Sequence, residues 1–215
     1  MTAPHFALGF GVGTKNQQGQ WLEVFYPAPV LHGSDALLSA VAGALNYNGD
    51  NAAIELDNAK LTALESALRA AGETAQAELV NGLRDTTQPR VATLLATDSA
   101  PQSVPEGYLK LQLLSHRLVK PHGIVLAGLF GVLPNVAWTN RGAVDLAELP
   151  ARQLQARLRG EVLEVMSVDK FPKMTTYVVP AGVRIAHTAR VRLGAYLGEG
   201  TTIMHEGFVN FNAGT

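Results

Sequence analysis

From Val179 onward the chain repeats itself every six residues. Val179, Ile185, Val191, Leu197, Ile203 and Val209 are aliphatic, and four positions after each stands a small or slim residue: Val183, Ala189, Ala195, Thr201, Gly207 and Ala213. A hexapeptide repeat predicts a parallel β-helix with one strand per repeat and three repeats per coil. The aliphatic residue fills the prism, and the small residue sits where the chain turns a corner too tight for a larger side chain. We expect a left-handed coil over about 178–214, against the usual right-handed rule for parallel crossovers.

Before about residue 170 the pattern is mixed α/β. His5–Val12 and Gln20–Tyr26 read as strands around a polar turn at Asn16–Gly19, and Ser34 and Asp35 signal a helix start. Asn51–Ala71 places Ile54, Leu61, Leu64 and Leu68 at helical spacing, and Glu73–Leu83 continues as a second helix. Arg90–Thr97 reads as a buried strand, and Tyr108–Leu118 fits helix or strand. Leu149–Arg159 reads as a helix with Leu154 and Leu158 inward. The fold class is therefore an α/β N-terminal domain, 1–170, followed by the start of a left-handed parallel β-helix, 171–215, about two coils long.

Composition excludes several functions. At 215 residues and a formal charge of −1, with no basic run, the chain lacks the phosphate-seeking charge of a nucleic-acid binder. It contains no cysteine, which excludes disulfides and thiolate metal sites and suits a reducing compartment. The N-terminus lacks a secretory pattern. Pro121–Asn140 carries no charged side chain, yet Gly123, Gly128, Gly131, Pro134 and Asn135 interrupt it, so it reads as buried strand and loop rather than a membrane span. A cytoplasmic protein without membrane partners is expected. Gly9-Phe-Gly-Val-Gly13 lacks the spacing of a dinucleotide loop and reads as a strand that another backbone approaches closely.

On a three-sided coil, residues eighteen apart stack vertically, at the strand spacing of about 4.8 Å. His187 and His205 then form an outward column, and Leu193 over Phe211 forms a second one, on a face most simply covered by another subunit. His205-Glu206 is the densest chemistry in the chain: a general base or a metal ligand facing a cleft between subunits, or a polar column at an interface. Asn210 and Asn212 either bind a substrate carboxylate or amide or line turns. Arg184, Arg190 and Arg192 form a cluster suited to a carboxylate or phosphate, or to salt bridges.

The run Gly200-Thr-Thr-Ile-Met-His-Glu-Gly-Phe-Val-Asn-Phe-Asn-Ala-Gly-Thr215, with Asp169-Lys-Phe-Pro-Lys-Met174, closely resembles the tetrahydrodipicolinate N-succinyltransferases, in the branch found in actinobacteria and pseudomonads. The resemblance extends over the region before the repeat. It implies a homotrimeric cytoplasmic acyltransferase of the diaminopimelate and lysine route, with succinyl-CoA as donor and the open-chain amine of tetrahydrodipicolinate as acceptor. It also implies that Glu206 joins its symmetry mates near a threefold axis around Mg²⁺. A second acidic position of the family falls on Ala189. The family's catalytic glutamate and most coenzyme contacts are expected beyond Thr215, so the chain reads as truncated before the C-terminal coils and inactive alone. No firm catalytic residue remains, and His205 is the weak candidate. Two other readings stay open: a γ-type carbonic anhydrase with histidines on zinc, and a non-catalytic trimeric scaffold.

Overall fold

The computed structural model describes residues 5–187 and 190–215. Its first sheet has the order β2-β1-β5-β4. Here β1 is Ala7–Lys15, β2 Trp21–Phe25, β4 Ala52–Glu55 and β5 Arg90–Leu95. The short β3, Val30–Leu31, also pairs with β1. Every pairing is antiparallel, so helices and strands are mixed as expected, but without the parallel crossovers of a doubly wound fold.

Alternation along β1 divides the interior in two. Leu8 and Phe10 face α1 (Asp35–Leu45), α2 (Asn58–Ala70) and α3 (Thr74–Gly82), in a core with Leu37, Val41, Leu61, Leu64 and Leu68. Ala7, Gly9 and Gly11 face the other way, towards Tyr26 and α4 (Val104–Ser115). A methyl at Gly9 would stand 2.8 Å from the Tyr26 ring and 2.9 Å from Leu109, and at Gly11 2.6 Å from the Phe25 carbonyl. The glycine-rich strand is therefore a packing surface, as its composition suggested.

Two sequence expectations are corrected and one open reading is settled. Asn51–Ala71 is not one helix: Ala52–Glu55 pairs with β5, and the Asp57 side chain then caps α2 by accepting from Lys60 N at 2.8 Å. That bond satisfies a backbone donor that the helix itself leaves free. In α6 (Leu149–Leu158), Leu154 and Leu158 point out, 60% and 78% exposed, and Ala156 is the buried residue. The ambiguous Tyr108–Leu118 is largely helix α4, starting at Val104 behind Ser103, whose side chain accepts from Glu106 N.

Helix α4 is buried on all sides from Pro105 to Ser115, so its polar side chains must find internal partners. Gln112 accepts from Tyr26 N at 2.8 Å and donates to the Val24 carbonyl at 2.9 Å. Lys110 pairs with Asp98 at 2.5 Å and reaches the carbonyls of Ser99 and Val125. Ser115 accepts from Gly194 N and donates to the Ala195 carbonyl. The helix thus joins the first sheet to the repeat region.

A second antiparallel sheet has the order β7-β6-β8, from Gly142–Asp145, Val136–Thr139 and Val165–Asp169. A short helix α5, Leu129–Val132, precedes it. Asn16 in the first hairpin turn donates to Asp145 at 2.8 Å, clasping the two sheets.

In the repeat region the pairing becomes parallel. Arg184–Ile185 (β9) pairs with Thr202–Ile203 (β10), and single bridges join Val191 to Val209 and Tyr196 to Gly214. Each partner lies eighteen residues on. Val191, Leu197, Ile203 and Val209 are buried, and Ile185 is partly so. Val179 breaks the pattern, 71% exposed, while its neighbour Val178 is buried. The one-turn helix Met174–Thr176, whose Met174 carbonyl accepts from Val178 N, sets the chain's direction there before the first coil is entered.

The Leu193 and Phe211 column is covered, but by this chain. Leu193 is fully buried, and Phe211 stacks on Phe171 with centroids 4.3 Å apart and planes 7° from parallel. Among the described residues, no helix is long and apolar enough to cross a membrane.

Candidate functional site

The corners of the coil have a backbone rule beside the side-chain one. Gly182, Gly194, Gly200, Glu206 and Asn212 all have positive φ, at +73°, +93°, +83°, +60° and +56°. They stand six or twelve apart, each one position before the small residue that was expected to make the turn. The small residues answer a steric demand: a methyl on Gly207 would sit 2.7 Å from Ile203 Cγ2 and 2.9 Å from the Met204 carbonyl.

Glycine adopts positive φ freely and asparagine tolerates it. Glutamate does not, and the left-handed region costs an ordinary residue roughly 1–2 kcal/mol. Glu206 nevertheless holds this corner with its side chain 77% exposed, and Arg190 donates to it at 2.5 Å. A surface ion pair contributes about 0–1 kcal/mol, too little to offset the backbone cost with certainty of sign. A strained corner that presents a carboxylate outward makes Glu206 a candidate functional position.

His205 and His187 are both exposed, as the outward column required. His205 has no hydrogen-bond partner among the described residues, so no third group orients it as a base. Arg192 is held firmly. It donates to Asp169 at 2.7 Å and Asn210 at 3.0 Å, and its guanidinium lies 5.3 Å from the Phe171 centroid and 5.8 Å from that of Phe208. Asn210 also accepts from Phe211 N, and Asn212 accepts from His122 N at 2.7 Å. Both asparagines therefore organise turns. Ala189 lies outside the described residues.

Beneath Arg190 and Arg192 lies a cavity of about 620 Å³ between the first hairpin, the second sheet and the first coil. Glu23 stands in its wall. Thr14 donates to one carboxylate oxygen at 2.7 Å and Tyr177 to the other at 3.0 Å. Burial pushes the Glu23 carboxyl above its ordinary range, with the hydroxyl donors opposing that shift. Burial likewise raises the Tyr177 and Tyr108 phenols. The Tyr108 hydroxyl, fully buried, has no hydrogen-bond partner among the described residues.

Sequence reasoning missed Glu23. The available signal was its strand register, since Leu22 and Val24 are buried and the opposite face reads Trp21, Glu23, Phe25. An acid flanked by two aromatics on one strand face is out of place on a solvated surface.

Comparison with known proteins bears on the whole chain. The family profile described as tetrahydrodipicolinate N-succinyltransferase middle matches residues 133–173. A 2,3,4,5-tetrahydropyridine-2,6-dicarboxylate N-succinyltransferase of Pseudomonas putida is 67% identical over 210 residues, which cover 98% of this chain and 61% of the relative. The enzyme of that name from Pseudomonas aeruginosa is 61% identical over all of this chain and 62% of its own length. A crystal structure from Campylobacter jejuni, described as a 2,3,4,5-tetrahydropyridine-2-carboxylate N-succinyltransferase, superposes with a TM-score of 0.87 at 26% identity. It covers all of this chain and 60% of the Campylobacter one. The chain thus spans about three fifths of the length of the curated relatives it matches.

Proposed function

We propose that this chain, a member of the tetrahydrodipicolinate N-succinyltransferase family, serves an enzyme that moves a succinyl group from succinyl-CoA to the open-chain amine of tetrahydrodipicolinate. The observation that carries the reading is the 67% identity to the Pseudomonas putida enzyme across nearly the whole chain. The step belongs to diaminopimelate and lysine biosynthesis, in the cytoplasm. We divide the chain at about residue 170, with a left-handed parallel β-helix beyond it. The eighteen-residue parallel register and the positive-φ corners support that reading.

The face around Glu206 supports assembly as a homotrimer. Met204 and Phe208, on either side of it, are 65% and 57% exposed, an apolar surface that a neighbouring prism would bury. One exposed carboxylate alone makes a weak site for a divalent cation. Among the described residues no group of three His, Cys, Asp or Glu comes together to do so. Three copies of Glu206 around a threefold axis would supply a trigonal set of oxygens of the kind Mg²⁺ accepts, and would repel one another without a cation. Arg190, paired with Glu206 in the single chain, would remain as the outer neighbour of that site.

In the transfer itself the acceptor amine must be neutral, lie against the thioester carbonyl and lose a proton as the amide forms. The coil faces supply rigid positions for that alignment. His205 is exposed on the same corner as Glu206 and is the one candidate base on this face; a base elsewhere in the assembled enzyme is the stronger expectation.

The test is a thiol-release assay with succinyl-CoA and 2-aminopimelate. It compares this chain alone with a fusion of this chain to the segment of the Pseudomonas putida relative that lies beyond the matched region. The fusion is expected to turn over and the chain alone to stay at background. Turnover that required only the chain alone would move His205 to the head of the list as base. Failure of a folded, trimeric fusion would overturn the assignment.

A further inference from the structure

The cavity walled by Glu23 carries more than the transfer reaction asks of it. Five charged side chains line it: Glu23, Asp169, Lys173, Arg190 and Arg192. Three are already committed, since Arg192 pairs with Asp169 and Arg190 with Glu206. The remaining two are opposite in sign. Glu23 accepts only from neutral hydroxyls and has no cation within ion-pair distance among the described residues. Lys173 has neither an ion pair nor a side-chain hydrogen bond among them.

A desolvated carboxylate without a cation is costly, and a cationic donor brought to it recovers much of that cost. The carboxylate has acceptor capacity left after two hydrogen bonds. Much of the remaining wall is apolar and aromatic, from Phe25, Trp138, Met166, Phe171 and Phe208. Aromatic faces favour both an aliphatic body and the edge of an ammonium group. The volume falls within the range of small-molecule pockets, roughly 300–1,000 Å³.

We propose that this cavity is a binding site for a small zwitterion, an amino acid or linear amino-carboxylate, its ammonium on Glu23, its carboxylate on Lys173 and its aliphatic chain against Trp138 and Phe25. The proposal goes beyond the transfer reaction and does not depend on it, because the cavity is built from the two sheets and the first coil of one chain.

The experiment is binding without succinyl-CoA, read by calorimetry and by Trp138 fluorescence in a Trp21→Phe background. The probes are α-amino acids and linear ω-amino acids of roughly four to eight carbons, a range set by the pocket's size. Matched amines and matched carboxylates are the controls. At least one amino-carboxylate should bind in the millimolar range or tighter. Its affinity should fall roughly tenfold or more, about 1.4 kcal/mol, in Glu23→Gln and again in Lys173→Met. The matched amine should lose affinity only in the first variant and the matched carboxylate only in the second. Far-ultraviolet circular dichroism and thermal midpoints confirm that the variants fold. Binding that survives both substitutions, simple carboxylates binding as well as amino-carboxylates, or no binding up to about 10 mM would overturn the proposal.

Discussion

Leu111 rests directly on the backbone of Gly194: a methyl group placed on that glycine would stand 2.5 Å from Leu111 Cδ2 and 2.9 Å from Phe211 Cβ. This is where the buried helix α4 meets the first coil, sealed by the Ser115 hydroxyl on either side of the glycine. Gly200 occupies the same place in the next repeat, also at positive φ, but with nothing within 4 Å of the added methyl. The pair separates backbone strain from steric collision. Gly200→Ala should cost about 1 kcal/mol, the strain alone. Gly194→Ala should cost a further 1–3 kcal/mol or so for overpacking. Denaturant unfolding of both variants checks this, and equal losses would mean that α4 yields to the intruding methyl.

The interior of the coil gives a second comparison. Ile203 is 7% exposed and pairs in register with Ile185. Ile203→Val should cost about 0.5–1.5 kcal/mol, the usual loss for one buried methyl. Ile203→Asp buries a charge with no cation beside it and should abolish the coil, a loss above roughly 3 kcal/mol. Protection of the Arg184 and Ala186 amides, which donate to the Thr201 and Ile203 carbonyls, reports the outcome by hydrogen exchange. Slow exchange in the aspartate variant would show that the coil survives with the charge in place, against this expectation.

Much of this was legible because a hexapeptide rule is local. Each aliphatic residue and each small residue obeys constraints set within one turn of chain and its stacked neighbour. The slip at Val179 comes from outside that rule, since the Met174–Thr176 turn decides which of two adjacent valines enters the prism. The covered Leu193 face was legible as covered, but not by what, because its cover is a helix some eighty residues earlier in the chain. Helix α2 was read too long because Ile54 satisfies helical spacing and strand pairing equally well, and only β5 beside it decides. Glu206 was found from its neighbours in sequence, whereas its strained backbone needed coordinates. Glu23 was not found at all: its partners Thr14 and Tyr177 converge from 9 and 154 residues away.

Glu206 offers a direct test of function against stability. If its corner is held for a role between subunits, glycine there should relieve the strain and leave the isolated chain equal or more stable. The gain is up to about 1 kcal/mol after loss of the exposed Arg190 pair. In the trimeric fusion the same change should remove bound Mg²⁺ and lower the thermal midpoint. Metal analysis of the fusion and unfolding of the chain alone are the two readings. A Glu206→Gly chain that is clearly destabilised alone, with unchanged metal content in the fusion, would make Glu206 a structural corner.

Glu23 should write its burial into the pH dependence of stability. Its ordinary value is 4.5, and burial raises it in the folded chain. The folded state therefore binds this proton more tightly than the unfolded state does. The stability gained from that preference is full below pH 4.5 and is lost as pH rises through the folded value. Among the described residues no cation lies within ion-pair distance of the charge; the hydroxyls of Thr14 and Tyr177 face it, with Tyr108 behind them, and Asp169, Lys173, Arg190 and Arg192 line the same cavity. Glutamine keeps the shape and the acceptor oxygen but never ionises. Glu23→Gln should thus raise the thermal midpoint at pH 7, and the difference from the parent chain should shrink towards zero near pH 4. Thermal melts of the two chains across that window decide it. A difference that is constant with pH would show that the two hydroxyl donors cancel the effect of burial, and a parent chain more stable than the variant at pH 7 would show that they outweigh it.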